Sequence, residues 1–275
     1  MAGWVVIIGA IGAIFVWFLR SGLPESPRWL IQQGRISEAE LITAQIEEGV
    51  LSDLRGGSLP VPATHAVEKA EAAGGFGEIF APPYLSRTLM LVVFQFFQTF
   101  GFYGFAAWVP TLIAQQTGIS LGSSLLYSFI IACASPFGPM LAFTFADKFE
   151  RKWQLVGAAI GVGVFGVAFS QQSTMGLLIA CGVLITLSNN VLSYAFHGYQ
   201  TELFPTRVRA RAVGFTYSFS RISTVFASFI IAWFLQNAGT TGVFGLIAFA
   251  MAMVVISIGV FGPVTRNLEL EQISR

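Results

Sequence analysis

Seven long apolar runs, separated by short polar breaks, dominate this chain: Gly3–Leu19, Thr88–Ala114, Ser123–Ala146, Trp153–Ser170, Met175–Gln200, Ala212–Gln236 and Thr240–Gly262. Crossing the hydrocarbon core of a bilayer takes about 20 apolar residues as a helix. A segment in lipid must also satisfy its own backbone N–H and C=O groups, which a helix does. The pattern therefore predicts an all-α membrane protein with seven transmembrane helices.

The breaks fall into two kinds. Gln115–Gly122, Gln171–Thr174 and Asn237–Gly239 carry no charge. Arg20–Arg87, Asp147–Lys152, Glu202–Arg211 and Arg266–Arg275 carry 14 of the 15 Lys and Arg residues. If the spans alternate in direction, these four segments share one side, and an excess of positive charge marks that side as cytoplasmic. Composition agrees: 55% of residues are hydrophobic and 11% charged, against roughly 25% charged in an ordinary soluble domain. A net charge of +1 gives no reason to expect nucleic acid as a partner. The partner implied here is the lipid bilayer. Arg20 follows the first apolar run instead of preceding it, which is the wrong flank for a secretion signal, so residues 1–19 read as a span. Cys133 and Cys181 lie in apolar runs without ligand spacing and read as small buried residues.

The segment 20–87 is the one sizeable polar stretch. Ser26 and Pro27 suit the N-cap and first position of a short helix, which Gly34 would end. Ser37 with Glu40 has capping-box spacing and predicts a helix to about Glu48. Leu51–Gly75 is rich in Gly, Pro and Ala and reads as a linker. Glu78–Tyr84 reads as an interfacial approach to the second span. The expected organisation is a first span (1–19), a cytoplasmic segment (20–87), a six-helix transmembrane bundle (88–262) and a cytoplasmic tail (263–275).

Four motifs resemble a known family. Pro24-Glu25-Ser26-Pro27-Arg28-Trp29-Leu30 is similar to the signature after the sixth span of sugar-porter-type major facilitators. Asp147-Lys148-Phe149-Glu150-Arg151-Lys152 resembles their loop between spans eight and nine, usually Asp-Arg-x-Gly-Arg-Arg. Glu202-Leu203-Phe204-Pro205-Thr206-Arg207-Val208-Arg209 resembles the loop after span ten, and Thr265-Arg266-Asn267-Leu268-Glu269 the tail after span twelve. The resemblance implies that the first span is the family's sixth, that the other six form one bundle of the major facilitator fold, and that an N-terminal half of the carrier is missing. Phe97-Gln98-Thr99-Phe100-Gly101-Phe102-Tyr103 keeps only one Gln and the Gly of the hexose-porter span-seven pattern, and the span-ten Gly-Pro-x-Pro-Trp is absent. Glu202–Arg221 instead looks like the branch carrying organic ions and aromatic or nicotinate-like acids. Phe143 and Glu150 stand where the loop motif usually has Gly, which bears on its turn geometry.

Arg221 is the single Lys, Arg, Asp or Glu inside a predicted span. It lies ten residues beyond Arg211, roughly 15 Å deep at about 1.5 Å per residue. A guanidinium there costs at least about 2.5–3.5 kcal/mol unless paired or wetted. The resemblance implies anion binding, since anion carriers of that branch tend to have Arg here; the plainer reading is a buried pair with an acid from the absent half. Gln95, Gln98, Phe102 and Tyr103 share one face of their span by spacing. With Tyr127, Asn189, Asn190, Tyr194 and Tyr217 they could line a pore, or simply bond between helices. His197 reads as an interfacial or packing histidine, and Gly157 with Gly161 as a close helix approach. In the resembled family, groups equivalent to Asp147, Arg151, Lys152, Glu202, Arg207 and Arg209 lock the inner gate; positive charge holding loops inside is the plainer reading.

With the resemblance, these residues imply secondary transport of a small organic anion, an aromatic or other carboxylic acid, by alternating access. Proton symport and a bacterial inner-membrane location are implied by the resemblance alone. All 14 Asp and Glu lie outside the predicted spans, so a titrating acid would sit elsewhere. A sugar-transporter half, a truncated non-transporting fragment and a seven-span receptor are the alternatives. No phosphate loop, metal spacing or nucleophile elbow is present, so neither an enzyme, a cofactor nor a metal site is expected.

Overall fold

In the computed structural model the described residues are 2–53, 74–146 and 148–266. They divide into two compact units, Met1–Ala73 and Gly74–Arg275. The linker stretch and the tail beyond Arg266 lie outside the described residues for the most part.

The first unit holds α1 (Ala2–Ser21), α2 (Pro27–Gln32) and α3 (Ile36–Asp53). The side chains of Ile11, Phe15, Trp17 and Phe18 on α1 are exposed, as suits an apolar helix in lipid. Pro27 opens α2, but the Ser26 side chain makes no capping bond. Gly34 closes it with φ of 75°, a conformation that glycine adopts without Cβ strain. The expected capping box is replaced by another device. Ser37 lies inside α3, and Arg35 pairs bidentately with Glu38 at 2.8 and 2.5 Å. That hydrogen bond holds the Glu38 carboxyl below its ordinary range. The pair wins because an acid in the first turn also meets the positive end of the helix dipole. Leu30 and Ala39 are the buried apolar residues of this small unit.

The second unit begins with a 3-10 turn, Phe76–Phe80, and continues with α4 (Tyr84–Thr117), α5 (Leu121–Ala132), α6 (Phe137–Phe145), α7 (Arg151–Gln171), α8 (Met175–Glu202) and α9 (Thr206–Phe261). Among the described residues, five helical stretches are long and apolar enough to cross a membrane: α4, α5 with α6, α7, α8 and α9. Gly118 ends α4 in the left-handed region, and Ser120 caps α5 by accepting from the Ser123 N–H. The run expected as one span over Ser123–Ala146 is broken between Ala132 and Phe137. Pro136 has no N–H to continue the ladder, so the chain crosses the break in tight turns such as Phe137 N–H to Ala134. α9 covers two predicted spans in 56 residues. Its backbone leaves the helical region at Gly239, φ 64° and ψ −164°, which breaks an element that would otherwise reach roughly 84 Å.

The core sits between α4, α7, α8 and α9. Phe94 stacks on Phe196 with ring centroids 4.1 Å apart, joining α4 to α8. Phe105, Phe169 and Phe244 form a second cluster joining α4, α7 and α9. Small hydroxyls tie the helices together: Ser223 donates to the Phe96 carbonyl at 2.6 Å and Ser257 to the Met90 carbonyl at 2.8 Å. Gln116 gathers the carbonyls of Phe169, Ser170 and Gln172 at the end of α7, satisfying acceptors a helix terminus leaves open. The Glu78–Tyr84 approach is more than interfacial. Ile79 is fully buried, its carbonyl accepts from Thr88, and Phe76 and Phe80 pack edge-on against Phe215.

The expected glycine approach is half right. A Cβ on Gly161 would meet Ser188 Oγ at 2.8 Å, whereas Gly157 faces open space. The tightest approach to a carbon is at Gly138, where a Cβ would stand 2.3 Å from the Asn190 Cβ. Because that neighbour is a side-chain stem, it cannot swing away. Gly138→Ala is expected to cost about 1–3 kcal/mol of stability and to lower the thermal unfolding midpoint in detergent, with Gly157→Ala within error of the parent. Equal midpoints for Gly138→Ala and the parent would show that α6 and α8 are not in this contact.

Candidate functional site

Arg221 projects from the first arm of α9 and meets two phenols. Its Nη2 donates to Tyr217 Oη at 2.8 Å, one helical turn earlier, and its Nη1 donates to Tyr103 Oη at 3.2 Å on α4. The guanidinium carbon also lies 5.0 Å from the Tyr217 ring centroid and 5.9 Å from that of Tyr103. Tyr103 lies near the middle of α4, and Arg221 near the middle of the arm of α9 that precedes Gly239. Two charge-assisted bonds at about 1.5–3 kcal/mol each are enough to offset the ~2.5–3.5 kcal/mol cost of a guanidinium at that depth. The side chain is nonetheless exposed on the surface of this chain. Phenols carry no negative charge, so they hold the guanidinium without neutralising it.

The other predicted lining residues divide into groups. Gln95 and Gln98 meet through Gln98 Nε2 and Gln95 Oε1 at 3.5 Å, two turns before Tyr103. Gln95 is fully buried and its Nε2 has no partner among the described residues. Thr99 bridges this level to α9 by approaching the Ser220 carbonyl. Asn189 lines a separate cleft of about 150 Å³, together with Phe102, Ser128, Ser135, Thr186 and Asn190. Phe102 packs edge-on against Tyr103 at 5.2 Å, so the cleft adjoins the arginine cluster. Tyr127 is partly buried against the core, and Tyr194 is exposed on α8. His197 is exposed, with Nδ1 2.6 Å from the Ser193 carbonyl.

At the charged end of the bundle, Arg151 pairs with Glu202 at 2.6 Å, joining the start of α7 to the end of α8. Lys152 donates to the Gly262 carbonyl at 2.8 Å, and Arg209 to the Phe204 carbonyl at 3.2 Å. Arg207 pairs with Glu78 of the 3-10 turn, a partner that the sequence reading had not assigned. Asp147 lies outside the described residues. Glu150 is the residue that the sequence reading undervalued. Its carboxylate accepts the backbone N–H of Thr265 at 2.9 Å and that of Arg266 at 3.0 Å. Arg266 in turn donates to the Lys148 carbonyl at 2.6 Å. The loop before α7 thus grips the segment that follows α9.

The sugar (and other) transporter family profile matches residues 2–275. The chain belongs to that family. Its members are major facilitator membrane transporters, not enzymes, and the all-helical, multi-pass fold accords with this. The chain is 28% identical to the inner membrane metabolite transport protein YdjE of Escherichia coli K12 over 98% of its own length and 60% of that protein's. It is 27% identical to the niacin transporter NiaP of Acinetobacter baylyi, over 98% of this chain and 61% of that one. Among solved structures, the proton:xylose symporter XylE bound to 6-bromo-6-deoxy-D-glucose superposes with a TM-score of 0.69 at 22% identity, covering 96% of this chain and 57% of its own. The chain therefore spans about three-fifths of the length of the curated relatives it matches.

Against the family loop pattern, Glu150 was a departure from Gly, and that departure was the available signal of its role. It stands at the N-cap of α7 with φ −57° and ψ 129° and makes no side-chain capping bond, its oxygens being committed to the tail. Phe143, the other departure, is exposed on α6. Two charge-assisted backbone bonds are worth about 1.5–3 kcal/mol each when intact. Glu150→Ala is therefore expected to speed tryptic cleavage after Arg266 by roughly tenfold or more in the detergent-solubilised protein, with Glu150→Gln intermediate. An unchanged cleavage rate in Glu150→Ala would show that the carboxylate does not hold the tail.

Proposed function

We propose that this chain is the C-terminal portion of a secondary carrier that moves a small organic anion, an aromatic or other carboxylic acid, by alternating access. The observation that carries the reading is the Arg221 guanidinium, held at mid-helix by the hydroxyls of Tyr103 and Tyr217. A carboxylate would take the remaining N–H groups, bidentately in the favourable geometry, with the two aromatic faces alongside suiting a ring. NiaP, a niacin transporter by name, handles a small aromatic acid, which supports the class.

In this reading the 56-residue α9 is two passes joined at Gly239, so that six spans follow α1 and residues 20–87 face the cytoplasm with the other basic loops. Arg151, Lys152, Glu202, Arg207, Arg209 and Asp147 form the inner gate. The Arg151–Glu202 pair is suited to a latch, since ion pairs between two helix ends can be made in one state and broken in the other. Gln95, Gln98, Asn189 and Tyr194 complete the substrate path. A coupling proton, if one is used, is carried by an acid outside these spans.

The sugar reading has one observation in its favour, the likeness to XylE. A sugar is neutral and offers nothing to compensate Arg221. Uptake into cells expressing the full-length protein separates the two. Labelled benzoate should enter and labelled xylose should not. Arg221→Ala is expected to lower benzoate uptake at least about 100-fold, from the loss of charge-assisted bonds, at unchanged membrane abundance, and Arg221→Lys to retain a fraction. Benzoate uptake unaffected by Arg221→Ala would reject the anion role.

A further inference from the structure

Of the two phenols on Arg221, one is placed by its own helix and the other by packing. Tyr217 stands one turn before Arg221, so the helix itself sets their bond at 2.8 Å. Tyr103 comes from α4 and meets Arg221 Nη1 at 3.2 Å, the long end of the range for an N–H···O bond. A slide of α4 along α9 by about 1 Å, less than the rise of one residue, takes the pair past that range. The contact therefore depends on whatever fixes one helix axially against the other.

Most contacts between these helices leave that position loose. Gly104 faces Ile231, but the close atom is the terminal methyl of the side chain, which can swing. Several hydroxyls on the first arm of α9 serve their own helix. Ser218 donates to the Phe215 carbonyl, Ser220 to that of Tyr217 and Thr224 to that of Ser220. On α4, Thr99 donates to the Gln95 carbonyl at 2.9 Å and stands 3.4 Å from the Ser220 carbonyl. Ser223 departs from this habit. It is fully buried and donates across the interface to the Phe96 carbonyl at 2.6 Å. A carbonyl has two lone pairs, so this bond adds to the α4 ladder without breaking it. Phe96 lies two turns before Tyr103, and Ser223 lies two residues after Arg221. The bond ties the stretch of α4 that carries the phenol to the stretch of α9 that carries the guanidinium.

A second serine provides an internal comparison. Ser257, on the arm of α9 after Gly239, is 4% exposed and donates to the Met90 carbonyl at 2.8 Å. The chemistry is the same, a buried serine on an α4 carbonyl. The place differs: Met90 is roughly 20 Å along α4 from Tyr103 at about 1.5 Å per residue, and the arm that holds it does not carry Arg221.

We propose that Ser223 is a positioning residue for anion binding: through Phe96 it keeps Tyr103 at Arg221, so that the guanidinium is oriented before a carboxylate arrives. The inference rests on the anion reading of Arg221 and adds to it a residue outside the cluster of Arg221 and its two tyrosines. A guanidinium released from Tyr103 gives up rotamer freedom when it binds, which weakens affinity. The later steps of transport do not use that contact. Loss of the Ser223 bond therefore raises KM and leaves Vmax nearly as it was.

The test measures uptake of labelled benzoate by the full-length protein in proteoliposomes. Ser223→Ala is expected to raise KM about tenfold with Vmax within about twofold. Ser223→Cys, a weaker donor of similar size, should fall between and serves if Ser223→Ala fails to fold. Ser257→Ala, which removes a bond of the same kind, is expected to leave KM within about twofold of the parent. Tyr103→Phe should raise KM by itself. Adding Ser223→Ala to it should raise KM no more than about twofold further, since the hydroxyl to be placed is already gone. An unchanged KM in folded Ser223→Ala or Ser223→Cys overturns the positioning role and leaves the anion reading standing. So does an equal rise in KM from Ser257→Ala, and so do effects of Tyr103→Phe and Ser223→Ala that multiply. Absence of saturable benzoate uptake by the unsubstituted protein overturns the anion reading, and the positioning role with it.

Discussion

A guanidinium within an apolar helix must be held by something, and in this chain two phenols hold it. Arg221 cannot shed its proton and lies near the middle of the arm of α9 that precedes Gly239. Tyr217 on the same helix and Tyr103 on α4 supply oxygens and ring faces. Neither supplies negative charge. The two phenols hold the arginine in place without cancelling its charge, as the proposed anion reading requires.

The rest of the second unit serves to keep α4 and α9 in the register that this cluster needs. Thr99 reaches towards the Ser220 carbonyl, one residue from Arg221, and Ser223 donates to Phe96 two residues beyond it. Hydroxyls bonded to the neighbouring helix are directional, so they fix axial position in a way that apolar packing alone does not. Phenylalanine clusters then join these two helices to α7 and α8. At the charged end the contacts change character. Ion pairs and side chain-to-carbonyl bonds link α7 to α8, the 3-10 turn to α9, and the tail to the loop before α7. Partly exposed bonds of that sort are weaker and can exchange, as the proposed inner gate requires. Glu150 is the example that a motif comparison would have passed over. In place of a glycine that merely eases a turn, the chain carries an acid that grips two backbone amides.

Hydrophobic length carried much of the architecture. The runs at Thr88–Ala114, Trp153–Ser170 and Met175–Gln200 became α4, α7 and α8 with ends shifted by a few residues, because a lipid-crossing segment has only one economical way to satisfy its backbone. The break at Pro136 and the kink at Gly239 also had sequence cues, but the same residues occur inside continuous helices, as Pro110 does in α4. Capping was less legible. Ser37 and Glu40 had capping-box spacing, yet the Arg35–Glu38 pair took the start of α3, since competing local bonds at a helix start differ by only about a kilocalorie.

By itself, then, the sequence determined that this is a helical membrane protein of its family, roughly where the helices run, and that Arg221 is the single charged residue in a predicted span. Those follow from composition, run length and motif order, which need no partner to be read. Only the tertiary structure decided that Tyr103 and Tyr217 meet Arg221 while Asn189 belongs to a neighbouring cleft, that Glu150 holds the tail, and which glycines face a wall. Spacing along one helix tells which residues share a face. It cannot tell which face of another helix arrives opposite, because that depends on packing between segments far apart in the chain.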